Sequence, residues 1–330
     1  MASVHFLNVA PGDCTIIRHV SGRVSMIDIC DGNIKEEPRK AILEKAALRR
    51  LLGNFRMCKY PTNPILYAKS LGITRIFRFI LTHPDMDHMD GLDVLADEIG
   101  ITNFWHTGVQ REAPDFSSCP YNEADWNRYE SLRDGRESGV NTLKHLAGVY
   151  FQFANRIENA EGGGDGLYIL APDDALVAAA SDDGDINDGS YVLLYRSAGG
   201  RVLIPGDAHD ATWEYVLKHY ESDVANCSVM IAPHHGRGSD RSFDFLDQIR
   251  PKLTLFGCAP SEHLAYDAWS QRKLAVITSN QAGNIVLEVA DQALDVYVEN
   301  AVFAEVCKAD CLKTNAQGYI YLRRINNTAE

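Results

Sequence analysis

The sequence predicts an α/β fold in which sheets are covered by helices on the outside. Three observations predict it: the chain opens on an apolar meander, its second half alternates strands with helices, and strands return at the end. The 330 residues, 45% of them hydrophobic, suffice for a sizeable core in one large domain or two small ones.

Residues 4–9 are apolar, Pro11-Gly12-Asp13 turns, 14–20 alternates, Ser21-Gly22 turns again, and 24–29 forms a third run ending near Asp28 and Asp31-Gly32. A charged amphipathic helix is predicted over 35–52, and the link Tyr60-Pro61-Thr62-Asn63-Pro64 leads into a second helix ending near Leu71-Gly72. Residues 75–81 read as a buried strand, 91–99 as a helix and 101–105 as a short strand. The polar stretch 107–140 has Trp126 and Tyr129 as anchors. Glycine-rich and acidic loops at 161–166 and 181–189 precede strands at 167–171 and 191–195. Then strands at 202–204, 229–232 and 253–258 alternate with helices at 211–219, 242–249 and 265–272, and strands return at 285–289, 294–298 and 319–322. No repeat or linker interrupts this order.

Lys plus Arg is 32 against 45 Asp plus Glu, a formal charge of −13, which argues against a protein that coats nucleic acid through a broad basic face. It leaves room for an enzyme that holds cations, because metal sites consume carboxylates. No apolar run reaches the length of a membrane span and the N-terminus lacks a secretory pattern, so a cytoplasmic protein is expected. Most of the 8 cysteines, Cys30 and Cys258 among them, sit in apolar surroundings and are expected as reduced core thiols. Cys307 and Cys311 have no second pair to complete a zinc site.

Chemistry concentrates in Thr82-His83-Pro84-Asp85-Met86-Asp87-His88. Four metal-ligand types, His83, Asp85, Asp87 and His88, crowd the loop that leaves an apolar strand. Aspartates are ordinary in a first helical turn, but capping does not explain the two histidines. Asp207 follows Val-Leu-Ile-Pro-Gly at another strand end, where a carboxylate bridges two ions or caps the next helix. His234 and His235, followed by Gly236, end a third strand, and His263 lies just past the strand that ends at Cys258.

The segment 83–88, in the form His-x-Asp-x-Asp-His, resembles the signature of the metallo-β-lactamase fold, and within it the soluble hydrolase domain of ComEC-type competence proteins. Phe6-Leu7-Asn8-Val9 with Gly12-Asp13-Cys14, Met26-Ile27-Asp28, the Asn187 to Ser190 segment, Leu203-Ile204-Pro205-Gly206-Asp207 and Pro233-His234-His235-Gly236 agree in order over about residues 3–292. The resemblance implies an αββα sandwich of two mixed sheets, with a hydrolase domain over 1–295 and a β extension over 296–330. A helical insert at about 33–72 and a region at about 104–160 would form its rim. It implies metal ligation by His83, Asp85, Asp87, His88, Asp207, His235 and His263.

Asp85 stands where most relatives have histidine, and the histidine expected between the first cluster and Asp207 is replaced by Asn187 and Ser190, which join Arg237 as candidate substrate contacts. Oxygen-rich donors favour Mn²⁺ or Mg²⁺ beside Zn²⁺. Two divalent ions bridged by hydroxide would hydrolyse a phosphodiester, with Asp87 and Asp207 holding the nucleophile and His234 or His235 serving the oxyanion or the leaving group. Arg201, Arg241 and Lys252 are further candidate phosphate contacts; Trp105, His106, Trp126 and Tyr129 either stack on a base or anchor the rim. A lactone or amide hydrolase and a non-catalytic regulatory protein remain open. The acidic surface favours a short or single-stranded nucleic acid, a nucleotide, or a substrate delivered by a partner protein.

Overall fold

The structure is a computed structural model that describes residues 1–9, 11–34, 55–157, 160–161, 164–239, 241–259 and 263–327. The chain opens on the antiparallel meander β1 (Ser3–Phe6), β2 (Thr15–Arg18) and β3 (Val24–Ile27). Helix α1 (Pro64–Ser70) starts where Asn63 accepts the amides of Ile65 and Leu66 and Pro64 fills the first helical position, so the orphan donors of its first turn are met. Strands β4 (Ile76–Ile80), β5 (Ile101–Trp105) and β6 (Asn141–Leu143) then extend the meander in parallel, linked by α2 (Leu92–Glu98) and α3 (Glu123–Arg133). A short pair, β7 (Arg156–Ile157) and β8 (Ala160–Glu161), precedes the second sheet.

That sheet repeats the plan. An antiparallel part, β9 (Leu167–Ala171), β10 (Val192–Ser197) and β11 (Gly200–Ile204), continues into parallel β12 (Val229–Ile231), β13 (Thr254–Phe256) and β14 (Val276–Thr278). Helices α4 (Asp174–Asp183), α5 (Asp210–Val224), α6 (Phe245–Ile249) and α7 (Tyr266–Gln271) connect its strands. After α8 (Ser279–Ala282) the chain returns to the first sheet as β15 (Ile285–Ala290), β16 (Ala293–Val298) and β17 (Ile320–Asn326), with α9 (Ala301–Val306) between the last two.

The period of two sorts side chains into layers. Leu193 and Ile204 face Val4, Phe6 and Ile80 across the inter-sheet core, whereas Leu194 and Leu203 turn outward onto Trp213, Val216 and Phe245. On the other outer face Ile16, Phe79 and Phe104 pack against Ile65, Leu92, Trp126 and Tyr129. Each such buried side chain contributes about 1.5–3 kcal/mol. The result is the expected αββα sandwich of two mixed sheets with helices outside.

Several expectations change. The stretch read as a polar region contains α3, and Trp126 and Tyr129, each 2% exposed, are core anchors, as is Trp105 at 1%, so none of the three is free to stack on a base. Residues 181–183 of the expected acidic loop close α4, and Ile186–Gly189 forms a 3-10 turn. The helix predicted over 35–52 lies outside the described residues, as do residues 35–54 of the insert as a whole. Cys58 and Cys258 are not reduced thiols but a disulfide joining positions 200 residues apart. Asn8 brings the partners together by donating to the carbonyls of Met57 and Tyr60, while the Cys58 amide donates to Asn280. No helix among the described residues is long and apolar enough to cross a membrane.

Candidate metal centre

The carboxyl ends of β3, β4, β11 and β12 open on one edge of the sandwich, where the loops that follow them present side chains. After β4 the chain winds into the 3-10 turn Met86–His88, capped by Asp85, whose carboxylate accepts the Met86 amide at 2.7 Å. His88 donates from Nδ1 to Asp28 Oδ2 at 2.8 Å, and its Nε2 lies 3.3 Å from Asp207 Oδ1. Asp28 also accepts the Thr82 amide and hydroxyl, both at 2.7 Å, which fixes the turn below the histidine. His83 brings Nε2 to 4.0 Å from Asp207 Oδ2.

Asp207 reaches the cluster because Gly206 has φ +52° and packs on Thr82; a Cβ there would stand 2.8 Å from the Thr82 Cβ. Its carboxylate faces the histidines, and the following helix has His209, not Asp207, at its cap position. After β12, His234, His235 and Gly236 are consecutively left-handed, with φ 52°, 58° and 91°. Two adjacent non-glycine residues in this region are uncommon and mark a conformation held by its surroundings. The His234 amide donates to the Gly206 carbonyl, and Arg241 donates to Ala208 O and to His234 Nδ1, at 2.8 Å for the latter. The twist delivers His235 Nε2 to 3.3 Å from Asp87 Oδ2 and 3.8 Å from Asp207 Oδ2, with Nδ1 3.2 Å from Asp13 Oδ2.

Three donor groups result, His83–His88–Asp207, Asp87–His88–His235 and Asp13–Asp207–His235, each with its ligand atoms within 4.8 Å of one another. Nε2 of His83, His88 and His235 and Oδ1 of Asp207 are buried without a hydrogen-bond partner. Buried polar atoms left unpaired cost about 1–3 kcal/mol each, so this convergence fits divalent cations as the missing partners. Carboxylates behind the imidazoles, Asp28 at His88 and Asp13 at His235, orient the rings for that role.

The charges are strongly coupled. Burial works against a charge on His88, yet Asp207, Asp28 and Asp87 hold its pKa well above the usual value. Against the same desolvation, Asp13 and Asp207 push His235 up to about 10. Burial and then the neighbouring His88 lower His83 to about 4. Although burial opposes it, His88 and His235 hold Asp87 at about 2 and Asp207 well below the carboxylate range.

Not every expected residue joins the groups. Asp85 pairs with Arg111 Nη1 at 2.7 Å and belongs to none of them. His263 is exposed, stands outside them, and its carbonyl accepts the Gly238 amide. His234 Nε2 lies 3.6 Å from Asp207. Ser190 is buried with its hydroxyl unpartnered, beside Tyr191, whose amide donates to the Thr82 carbonyl; Asn187 is half-buried and accepts the Ser190 amide through its carbonyl. Arg237 is half-buried after Gly236. Arg201 and Lys252 donate to backbone carbonyls, of Ser222, Asp223 and Ala225 and of Asn326 respectively, and Arg241 donates to Ala208 O and His234 Nδ1, so each is engaged within the protein. Sequence reasoning gave no role to Arg111 or to Tyr121, whose phenol is kept neutral by burial and by Asp87, Cys30, Asp85 and Asp90. No spacing signal in their polar loop marks either.

No protein-family model matches the sequence. The chain is 24% identical over 230 residues to ComE operon protein 3 of Bacillus subtilis (strain 168), a match covering 67% of this chain and 25% of that protein, so the chain spans about a quarter of the relative's length. Igni18, a metallo hydrolase from Ignicoccus hospitalis KIN4/I, is similar in structure with 12% identity, 87% of this chain and 100% of that chain covered, and a TM-score of 0.46. The metallo-β-lactamase fold protein YhfI from Bacillus subtilis is similar with 10% identity, coverage of 84% and 96%, and a TM-score of 0.42. The chain is an αββα sandwich of two mixed sheets, and it resembles metallo-β-lactamase-fold proteins and a part of ComE operon protein 3.

Proposed function

We propose that the chain is a metal-dependent hydrolase, a phosphodiesterase or nuclease acting on a short or single-stranded nucleic acid or a nucleotide. The observation that carries this reading is the convergence of four buried, unpartnered donor atoms on His83, His88, His235 and Asp207. Two divalent cations, Mn²⁺ or Zn²⁺ with Mg²⁺ as a third candidate, would supply activated water at neutral pH and offset charge on a phosphoryl group. Asp13 and Asp28 hold the histidine rings, and Asp87 and Asp207 add the carboxylates that favour hard cations.

His234 has a separate task. Burial lowers its pKa to about 4 despite the pull of Asp207, so the ring is neutral at pH 7. Arg241 donates to Nδ1, which leaves the ring proton on Nε2. That N–H is a hydrogen-bond donor at the partly open side of the cluster, suited to an oxygen of the reacting group. Within this reading the charge of −13 supports a short or single-stranded substrate.

The test is a substrate panel with metal-stripped protein restored singly with Mn²⁺, Zn²⁺ or Mg²⁺, and Asp87→Ala as the blank. Cleavage of single-stranded DNA, RNA or a cyclic nucleotide, strongest with Mn²⁺ and abolished in Asp87→Ala, is expected. Turnover of a chromogenic lactone or β-lactam alone would assign the chain to small-molecule hydrolysis instead. An inert protein whose melting temperature ignores added metal would assign it a non-catalytic role.

A further inference from the structure

We infer that Arg111 is a substrate-binding residue at the mouth of the candidate metal centre and takes a non-bridging phosphate oxygen. The inference rests on the phosphodiester reading above and names the group that recognises the phosphate.

Arg111 lies on the loop after β5, far in sequence from every donor. Its Nη1 nevertheless sits 2.7 Å from Asp85 Oδ1 and donates to Pro84 O at 3.0 Å. Those two residues stand between His83 and Asp87, so the guanidinium is fastened to the very turn that carries the donors. The anchor is itself fixed, because Asp85 also accepts the Met86 amide. Both contacts use one nitrogen. Among the described residues Nε and Nη2 of Arg111 have no hydrogen-bond partner, and the side chain is 27% exposed.

A guanidinium held along one edge, with its other edge open, is preorganised for an anion: little rotamer entropy remains to be lost, and the planar fork matches two phosphate oxygens. The need for such a group is also visible. Asp13, Asp28, Asp85, Asp87 and Asp207 gather at this edge, and a phosphodiester approaching them requires a cation beside its charge. Arg201 and Lys252 are engaged by backbone carbonyls, and Arg241 is held between Ala208 O and His234 Nδ1. On this account Asp85 is a positioning residue for Arg111.

The experiment uses the full chain loaded with Mn²⁺ and the variants Arg111→Gln and Arg111→Lys. Two quantities are read: KM and kcat for a dinucleotide phosphodiester, and the Kd for adenosine 5′-monophosphate by calorimetry. Arg111→Gln is expected to raise KM and Kd about tenfold or more, the scale of a charge-assisted hydrogen bond, with kcat within about threefold and an unchanged melting temperature. Arg111→Lys, which keeps the charge and loses the fork, is expected to recover part of the loss, and it decides the matter if the glutamine variant does not fold. Unchanged KM and Kd in a folded variant would overturn the inference, as would a wild-type chain that does not bind the nucleotide. Absence of phosphodiester turnover in a wild-type chain that still binds the nucleotide through Arg111 would overturn the proposed reaction alone.

Discussion

Gly236→Ala isolates the backbone that aims His235. At φ +91° an alanine pays the left-handed penalty of about 1–2 kcal/mol. Its Cβ would also lie 2.4 Å from Phe256 Cδ2 and 2.8 Å from Cε2 and Cγ, inside van der Waals contact. The ring has little room to retreat: it is fully buried, stacked on Tyr266 at 5.5 Å and met edge-on by Trp269 at 4.8 Å. Overpacking against a fixed ring adds about 1–3 kcal/mol, so the total is about 2–5 kcal/mol. Gly184→Ala is the control, because φ there is +76° and nothing lies within 4 Å of the added Cβ. Urea unfolding of both variants beside wild type measures the difference directly. Gly236→Ala is expected to lose clearly more stability than the control and to bind Mn²⁺ more weakly. Equal losses in the two variants would refute the steric argument.

Other consequences are equally measurable. Asp28→Asn and Asp13→Asn each remove a charged partner of a donor histidine and are expected to weaken metal binding by about 10–100-fold in a chelator competition; an unchanged affinity would show that these carboxylates do not tune the rings. His88 and His235 carry protons at pH 7 in the metal-free chain, since their pKa values are raised, and only neutral imidazole binds a cation. Metal affinity should therefore climb as pH rises from 6 to 9, and calorimetry in buffers of different ionisation heat should detect proton release; a pH-independent affinity would count against it. Asp165→Asn leaves Arg78, 2% exposed and paired to Asp165 at 2.7 Å, without its counter-charge and is expected to cost about 3–5 kcal/mol. Although burial opposes it, Arg23, Ser21, His19 and Arg78 hold the Asp165 carboxyl below the usual range, so its contribution is present at neutral pH and lost as pH falls below about 4; the acid limb of the stability curve should flatten in the variant.

What the sequence makes legible follows from physical contrast. His83, Asp87, His88, Asp207 and His235 announce themselves because they crowd the turns that follow apolar runs, where residues of ligand type have no packing reason to gather. The sandwich is legible for the same reason, since β4, β11, β12 and β13 are short apolar segments bounded by turn residues. Helix α3 is not: its buried Trp126, Tyr129 and Leu132 are diluted by charged neighbours, and only the sheet it covers reveals the face. The carboxylate–histidine pairs join strands distant in sequence, Asp28 to His88 and Asp13 to His235, so their geometry belongs to the tertiary fold. Asp85 shows the limit of motif spacing, for its position suits a ligand while Arg111 and the Met86 amide share its Oδ1 and it joins none of the donor groups.

The Cys58–Cys258 bond closes a covalent ring, and His83, Asp87, His88, Asp207 and His235 all ride on it, while Asp13 and Asp28 lie outside. A protease cutting the exposed residues 182–184 would separate the first three donors from the last two along the backbone only. The fragments would migrate as one band without reductant and as two with it. The two halves of the centre thus stay at high effective concentration after a nick, so the ring converts a loss of chain continuity into a unimolecular reassembly.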